Sequence, residues 1–376
     1  MVFFALNMNG LKNSFFMKKV TVFGSTKEEV HIGCKALTSG LEKLIYETYG
    51  GDTLIKHVSH RYLSPHFNDV FFVTKLKTRR KFFTKEVACV LEKNRSEKNW
   101  LASLKSLEDN DIFLKLTIQS SDIVIINVEG TLHHKGLLGH QLLAIGALAV
   151  KLNKPVYWVN VSVESEDDEI IKKAFSGARQ VSVRDKFSYS YLMKLGVNAV
   201  LAFDTAVLAD YVENNIVIDN FLPDVPFCLF TGSNVKEFDL LNHAKVIYSH
   251  GIKPLYIPLG LNDYDDLNIL KENNISCLDY GQLDFTDVIA LIKKSEFVIS
   301  GRHHLNIFCL LAGKPFIAYK SNTWKIEGVM DMLEYDYDYD LELYTRVKNL
   351  LDNYDNIASS LKGKINCVKK EARKNL

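Results

Sequence analysis

The chain has 376 residues, 47% hydrophobic and 24% charged, with a formal net charge of +1. That composition excludes a disordered chain, the length exceeds one compact core and predicts about two domains, and the near-zero charge excludes a bulk polyelectrolyte binder of nucleic acid. No apolar run approaches the roughly 20 residues that span a bilayer. Six cysteines (Cys34, Cys89, Cys228, Cys277, Cys309, Cys367) show no CxxC pair or metal-ligand spacing, the pattern of thiols in a reducing compartment, so a cytoplasmic protein is expected.

The opening MVFFALNMNGLKNSFFMKKV places apolar residues before its lysines, the reverse of a secretory signal. MKKVTVFGS reads as the start of the first strand, and residues 1–16 as an extension or a start-site artefact. VTVFGS precedes a helical pattern with Ile32, Ala36, Leu37, Leu41, Leu44 and Ile45 on one face, ended by Gly50-Gly51. The basic, aromatic stretch at 70–87 is expected to be a solvated helix or loop, ahead of a docking surface for anionic lipid or glycan. SDIVIINVEG (121–130) is continuously apolar, the mark of a strand buried on both faces of a parallel sheet. KPVYWVNVS, ARQVSVRD and NAVLAFDTA repeat the rhythm at crossover spacing. After VENNIVIDNFLPDVP the pattern restarts, with PFCLFTGS, KPLYIPLG, NISCLDYG, EFVISGR and KPFIAYK as five more strands.

The prediction is an α/β chain of two Rossmann-like domains facing a cleft, over 17–211 and 226–340, with a hinge near 212–226 and a helical segment at 341–376 that crosses back to the first domain. The run DMLEYDYDYDLELY (331–344) lacks the glycine and spaced ligands of an EF-hand and is expected to be a solvated interdomain loop. The basic tail KGKINCVKKEARKNL is expected to be a solvated face.

Ligands of open parallel sheets bind outside the carboxyl ends of the strands. Glu129, Arg184, Asp204, Arg302 and His304 all sit at predicted strand ends. VEGTLHHKG is not a dinucleotide fingerprint, and adjacent His133 and His134 on an extended segment point opposite ways, so joint chelation is not expected. Arg184 either pairs with Asp185 at a helix cap or aims, with that helix N-terminus, at an anion. A lone Asp204 fits an N-cap. The stretch SGRHHLNIFCLLAGKPFIAYKSNTWKIEG gathers Arg302, His303, His304 and Lys325, donors suited to a carboxylate or phosphate.

In order along the chain, HIGCKALTSGLEKLI, SSDIVIINVEGTLHH, NKPVYWVNVSV, ARQVSVRDKFSYSYLMKLGV, FDTAVL and SEFVISGRHHLNIFCLLAGKPFIAYKSNTWKIEG resemble the polysaccharide pyruvyl transferase family. The resemblance implies a GT-B-like enzyme of surface polysaccharide biosynthesis. It would move the enolpyruvyl group of phosphoenolpyruvate onto a sugar as a pyruvate ketal, with release of phosphate. By position Arg184 is similar to the arginine of the family's RD motif. Arg302 and His304 resemble its RxH motif with His303 as the variable middle residue, Lys325 the lysine that follows, and Asp204 the aspartate of an Asp-x-Ala stretch. The resemblance thus implies donor binding by Arg184, Arg302, His304 and Lys325. It implies proton delivery by His304 or Lys325, proton acceptance by Asp204, and an acceptor-facing loop bearing Glu129 and His133. Neither cofactor nor metal is expected. The partners implied are phosphoenolpyruvate and a sugar or glycan, lipid-linked or free, and not nucleic acid; peripheral association with the inner face of a membrane stays open. The chain departs from the family in its opening FGSTKEEVHIGC, where a GGxNxGD-like loop is usual, and in NVEG, where three glycines are usual. The alternatives are a GT-B nucleotide-sugar glycosyltransferase and a non-catalytic glycan-binding protein of a polysaccharide assembly complex.

Overall fold

A computed structural model describes residues 17–29, 31–67, 96–164, 166–211, 222–233, 235, 239–259, 263–278 and 283–376. The expectations for residues 1–16, for the basic stretch at 70–87, for Cys89 and for the hinge over 212–221 lie outside them.

The first half contributes β1 (Lys19–Ser25), β2 (Leu54–Ser59), β3 (Ile123–Asn127), β4 (Leu132–His133), β5 (Val156–Val161), β6 (Val163–Glu164), β7 (Gln180–Val183) and β8 (Val200–Leu201). Six of these form one sheet in the order β2-β1-β3-β5-β7-β8, while β4 pairs with β6. Its helices are α1 (Ile32–Tyr49), α2 (Glu97–Asn110), α3 (Ile112–Gln119), α4 (Leu137–Lys151), α5 (Asp168–Phe175) and α6 (Lys186–Lys194). All five residues of β3 are buried, as a central strand covered on both faces requires.

The second half contributes β9 (Phe227–Ser233), β10 (Lys253–Tyr256), β11 (Ser276–Cys277), β12 (Val298–Gly301) and β13 (Phe316–Ala318), a five-stranded sheet ordered β11-β10-β9-β12-β13. Its helices are α7 (Leu240–Ser249), α8 (Tyr264–Glu272), α9 (Phe285–Lys294), α10 (His303–Ala312), α11 (Lys325–Leu333), α12 (Leu343–Asp352) and α13 (Tyr354–Ala372). Neighbouring strands run parallel in both sheets. The architecture is the GT-B-like pair of α/β domains expected.

Strand order reverses between β1 and β3 in the first sheet and between β9 and β12 in the second. Such switch points are where open sheets bind ligands, and here they lead into Thr26, Glu129 and Arg302. Gly24, at φ +72°, lets β1 and β3 close there, since a Cβ on it would lie 2.2 Å from the Asn127 carbonyl oxygen.

A shared apolar cluster holds the two halves together. Ile32, Ala36 and Leu37 of α1, with Phe203 and Val207, join Leu291, Leu305 and Phe308 of the second domain, all buried. At about 1.5–3 kcal/mol per fully buried large aliphatic or aromatic side chain, this seam fixes the N-terminus of α1 against α10. The C-terminal segment crosses back to the first sheet: Asn160 N donates to Asn375 Oδ1 (3.0 Å) and Gln180 Nε2 to the Lys374 carbonyl (2.7 Å).

The run at 331–344 corrects one expectation. Glu334, Asp336, Asp338 and Asp340 are exposed while Tyr335, Tyr337 and Tyr339 are half-buried, and Tyr335 stacks on Phe316 at 4.3 Å between ring centroids. The alternation lays the segment against the second sheet instead of leaving it as a solvated loop between domains. Among the described residues, no helix is long and apolar enough to cross a membrane.

Candidate active site

Both switch points open on one cavity of about 240 Å³. Thr26, Cys34, Glu129 and Arg184 line it from the first domain, and Arg302, His304 and Lys325 from the second. Arg184 and Arg302, 118 positions apart in sequence, therefore face the same space.

The local helix chemistry leaves this space electropositive. α3, α5, α6, α7 and α9 are each capped by an aspartate side chain at Asp111, Asp167, Asp185, Asp239 and Asp284. α1, α10 and α11, which begin at the cavity, start from His31, Arg302 and Trp324 with no side-chain cap. The Cys34 amide of α1 bonds the His31 carbonyl at 3.1 Å, α4, α8, α12 and α13 also lack a side-chain cap, and a helix N-terminus favours an anion.

Behind the cavity lies a buried network. Arg184 Nη1 donates to Asp204 Oδ2 at 2.6 Å and Arg184 Nε to Ser162 Oγ at 3.0 Å. Asp204 Oδ1 accepts from Ala206 N at 2.9 Å, capping the short 3₁₀ turn Thr205–Leu208. His303 Nε2 reaches Asp204 Oδ2 at 3.2 Å, which fixes the Nε2–H tautomer of that ring. Burial alone would raise the Asp204 carboxyl, but Arg184, His303 and His304 outweigh it and hold it well below the usual range. The local Arg184–Asp185 pair does not form: Asp185 caps α6 through Ser188 N (2.8 Å) and leaves Arg184 to Asp204. Both oxygens of Asp204, the expected proton acceptor, are engaged by protein donors. His303, the middle residue of the RHH stretch, is a partner of Asp204.

The fold also gathers donor atoms of Asp204, His303 and His304 within 4.8 Å of one another, a grouping that sequence spacing does not suggest. Arg184 Nη1 donates to the same carboxylate oxygen of Asp204.

The titratable groups around the cavity differ in kind. Burial, with repulsion from Arg184 and Arg302, brings the Lys325 ammonium down to about 8, while its Nζ donates to Asn322 Oδ1 at 3.1 Å. Burial and the neighbouring positive groups push His31 to about 3 and, with Arg184 as its main neighbour, His303 to about 3, so both imidazoles are neutral at ordinary pH. His304 is 8% exposed, and its Nε2, 3.7 Å from Asp204 Oδ2, has no hydrogen-bond partner. Its ring packs against Gly33, where a Cβ would sit 2.3 Å from the imidazole. Arg302 pairs with Asp263 through Nη2.

The two residues expected to face an acceptor divide between two spaces. Glu129 lines the main cavity, whereas His133 lines a smaller neighbouring one with Glu164, Thr323 and Trp324, Gly130 being common to both. The histidine pair differs from its expectation. His134 adopts φ +50°, so the segment is not extended, and the two Nδ1 atoms come to 2.9 Å. Trp324 N donates to Glu164 Oε2 at 3.0 Å, docking the start of α11, where Lys325 sits, onto the first domain.

Sequence reasoning passed over His31, Cys34, Glu164 and Asp263. His31 alone carried a visible signal: it precedes the first helix at a position where Ser, Thr, Asp or Asn is preferred.

The profile of the family described as polysaccharide pyruvyl transferase matches residues 36–323. No curated protein matches the chain. Among solved structures it is similar to S. aureus MnaA in a structure with UDP (16% identity, TM-score 0.56, covering 92% of this chain and 90% of that one). It is also similar to the UDP-GlcNAc 2-epimerase of Neisseria meningitidis bound to UDP-GlcNAc (13%, 0.55, 95% and 98%), and to a putative UDP-N-acetylglucosamine 2-epimerase of Listeria monocytogenes (14%, 0.55, 92% and 91%). At such identities the likeness shows the GT-B-like fold, while the family profile spans most of the chain, and the chain belongs to the polysaccharide pyruvyl transferase family.

Proposed function

We propose that the protein transfers the enolpyruvyl group of phosphoenolpyruvate to a sugar or glycan, forming a pyruvate ketal and releasing phosphate. The observation that carries this reading is the convergence of Arg184, Arg302, Lys325 and three uncapped helix N-termini on a cavity of about 240 Å³. Its volume lies below the roughly 300–1,000 Å³ of pockets that take drug-sized ligands. A small polyanion suits it better than a sugar nucleotide.

In this reading Arg184 and Arg302 hold the donor's carboxylate and phosphate as charge-assisted donors, joined by His304, whose Nε2 lies 3.7 Å from Asp204 Oδ2. Asp204 is a positioning residue that keeps Arg184 and His303 in place. Addition of a hydroxyl across the donor's double bond needs a proton at the methylene carbon. With its ammonium brought down to about 8, Lys325 is poised to give one near neutral pH, and such an acid is worth about 10²–10⁴ in rate. His31 and His303, neutral at that pH, bind rather than protonate.

The test is incubation with phosphoenolpyruvate and a panel of sugars, following phosphate release and the ketal methyl signal by NMR. Phosphate release that depends on both substrates is expected. Turnover of a UDP-sugar with none of phosphoenolpyruvate would overturn the reading in favour of a nucleotide-sugar enzyme.

A further inference from the structure

Resting on that pyruvyl-transfer reading, we propose that Glu129 is the base that deprotonates the acceptor hydroxyl, and that the acceptor presents a neutral polyol to it. Glu129 is 8% exposed and held at φ +52°, at the carboxyl end of the central strand β3. Strained backbone of this kind persists where surrounding structure over-determines it. Here Thr26 Oγ1 (2.6 Å) and Asn127 Nδ2 (3.2 Å) both donate to Oε1, fixing the carboxylate's orientation. Among the described residues Oε2 receives only the Cys34 thiol, at 3.5 Å, a weak donor that leaves the lone pairs of this oxygen open to a hydroxyl. Among the described residues, no lysine or arginine ion pair is formed by Glu129, in contrast to Asp204 under Arg184. Glu129 thus sets one carboxylate into the same cavity lining as Arg184, Arg302 and Lys325. An anionic group beside the reacting hydroxyl would be repelled by that carboxylate, and a neutral sugar would not.

The step balances. The hydroxyl oxygen bonds to C2 of the enolpyruvyl group as its proton passes to Glu129 Oε2, while Lys325 Nζ gives a proton to C3, whose new C–H bond takes the electron pair of the double bond. The phosphate then leaves C2 with its bonding pair and the proton from Glu129. A second hydroxyl of the sugar closes the ketal, its proton returning to Lys325.

The test uses the full chain and the neutral sugar of highest wild-type turnover. Glu129→Gln keeps an acceptor oxygen for Thr26 and Asn127, so phosphoenolpyruvate binding by calorimetry should stay within about threefold while kcat falls by about 10²–10⁴. Added formate should restore part of the turnover of Glu129→Ala. A Glu129→Gln kcat within tenfold of wild type, an absence of formate rescue, or wild-type turnover of acidic sugars only would overturn the inference. A wild-type protein that releases no phosphate from phosphoenolpyruvate with any sugar would instead overturn the parent reading.

Discussion

Lys325→Met should make the protein more stable and inactive. The ammonium is held at about 8 against an ordinary 10.5, so the charged form is disfavoured in the folded cavity by about 2.5 in pKa, or roughly 3 kcal/mol at about 1.36 kcal/mol each. Methionine matches the side chain's length and removes that charge. Losing the hydrogen bond to Asn322 offsets about 1 kcal/mol, leaving a gain of about 2 kcal/mol at pH 7.

The pH dependence separates this cause from ordinary packing. Below about 8 both folded and unfolded wild-type chains carry the proton, and the penalty is fully present. Between about 8 and 10.5 the folded state sheds the proton and the unfolded state keeps it, so wild-type stability rises with pH. The advantage of Lys325→Met in urea denaturation should therefore be largest at pH 7 and shrink toward pH 10.5. Saturating phosphoenolpyruvate should narrow it too, since a ligand at 100 times its Kd stabilises wild type by about 2.7 kcal/mol. A variant less stable than wild type at pH 7, or an advantage that does not change with pH, would refute the reasoning.

Three further outcomes follow from the same geometry. Asp204→Ala strands a guanidinium that is 2% exposed and should cost about 3–5 kcal/mol in urea denaturation, with most of it recovered in the Arg184→Met/Asp204→Leu double variant. Because the Asp204 carboxyl lies well below its ordinary 3.8, its stabilisation is present above about pH 4 and fades only as pH drops through that depressed value, so acid titration of wild type and variant should converge there. Wild-type kcat/KM should decline as pH rises through about 8, where Lys325 loses its proton, and the decline should move upward in Lys325→Arg. Gly33→Ala puts a Cβ 2.3 Å from the His304 ring; since α1 and α10 are locked by the apolar seam, the ring must move, and turnover should fall at least tenfold with the circular dichroism spectrum unchanged.

The parts legible in the sequence were those governed by short-range pattern. Continuous apolar runs identified β3, β5, β9 and β12, and the placement of polar residues at strand ends identified Arg184, Asp204 and Arg302, because one sheet rule fixes where such ends point. β2 escaped because its LIKHVS residues alternate between exposed and half-buried at a sheet edge, which gives no clean apolar signal. The partners of the site residues were not legible either. Arg184 passes over its neighbour Asp185 for Asp204, 20 positions away, and His303 meets Asp204 across the domain seam. Both choices are made by packing of separate elements. The histidine pair failed for a local reason, since the positive φ of His134 rotates two side chains that an extended segment would have separated.

Uncapped helix starts and a buried lysine hold stability back at the cavity. An N-cap side chain is worth about 1 kcal/mol, and the helices starting at His31, Arg302 and Trp324 each go without one, beside a lysine whose charge is disfavoured by burial. A bound polyanion satisfies the same amides and the same ammonium, so stability withheld from the free protein is returned as donor affinity. His31→Asp tests this exchange directly. The residue at 31 has extended backbone angles, φ −67° and ψ 118°, which suit a capping aspartate, so the variant should gain about 1 kcal/mol in urea denaturation. Its carboxylate would occupy the amides and place a negative charge where the donor's belongs. Phosphoenolpyruvate affinity by calorimetry should then fall by tenfold or more, and the thermal upshift produced by the donor should shrink with it. A variant that gains stability and binds the donor as tightly as wild type would show that the N-terminus of α1 takes no part in holding the anion.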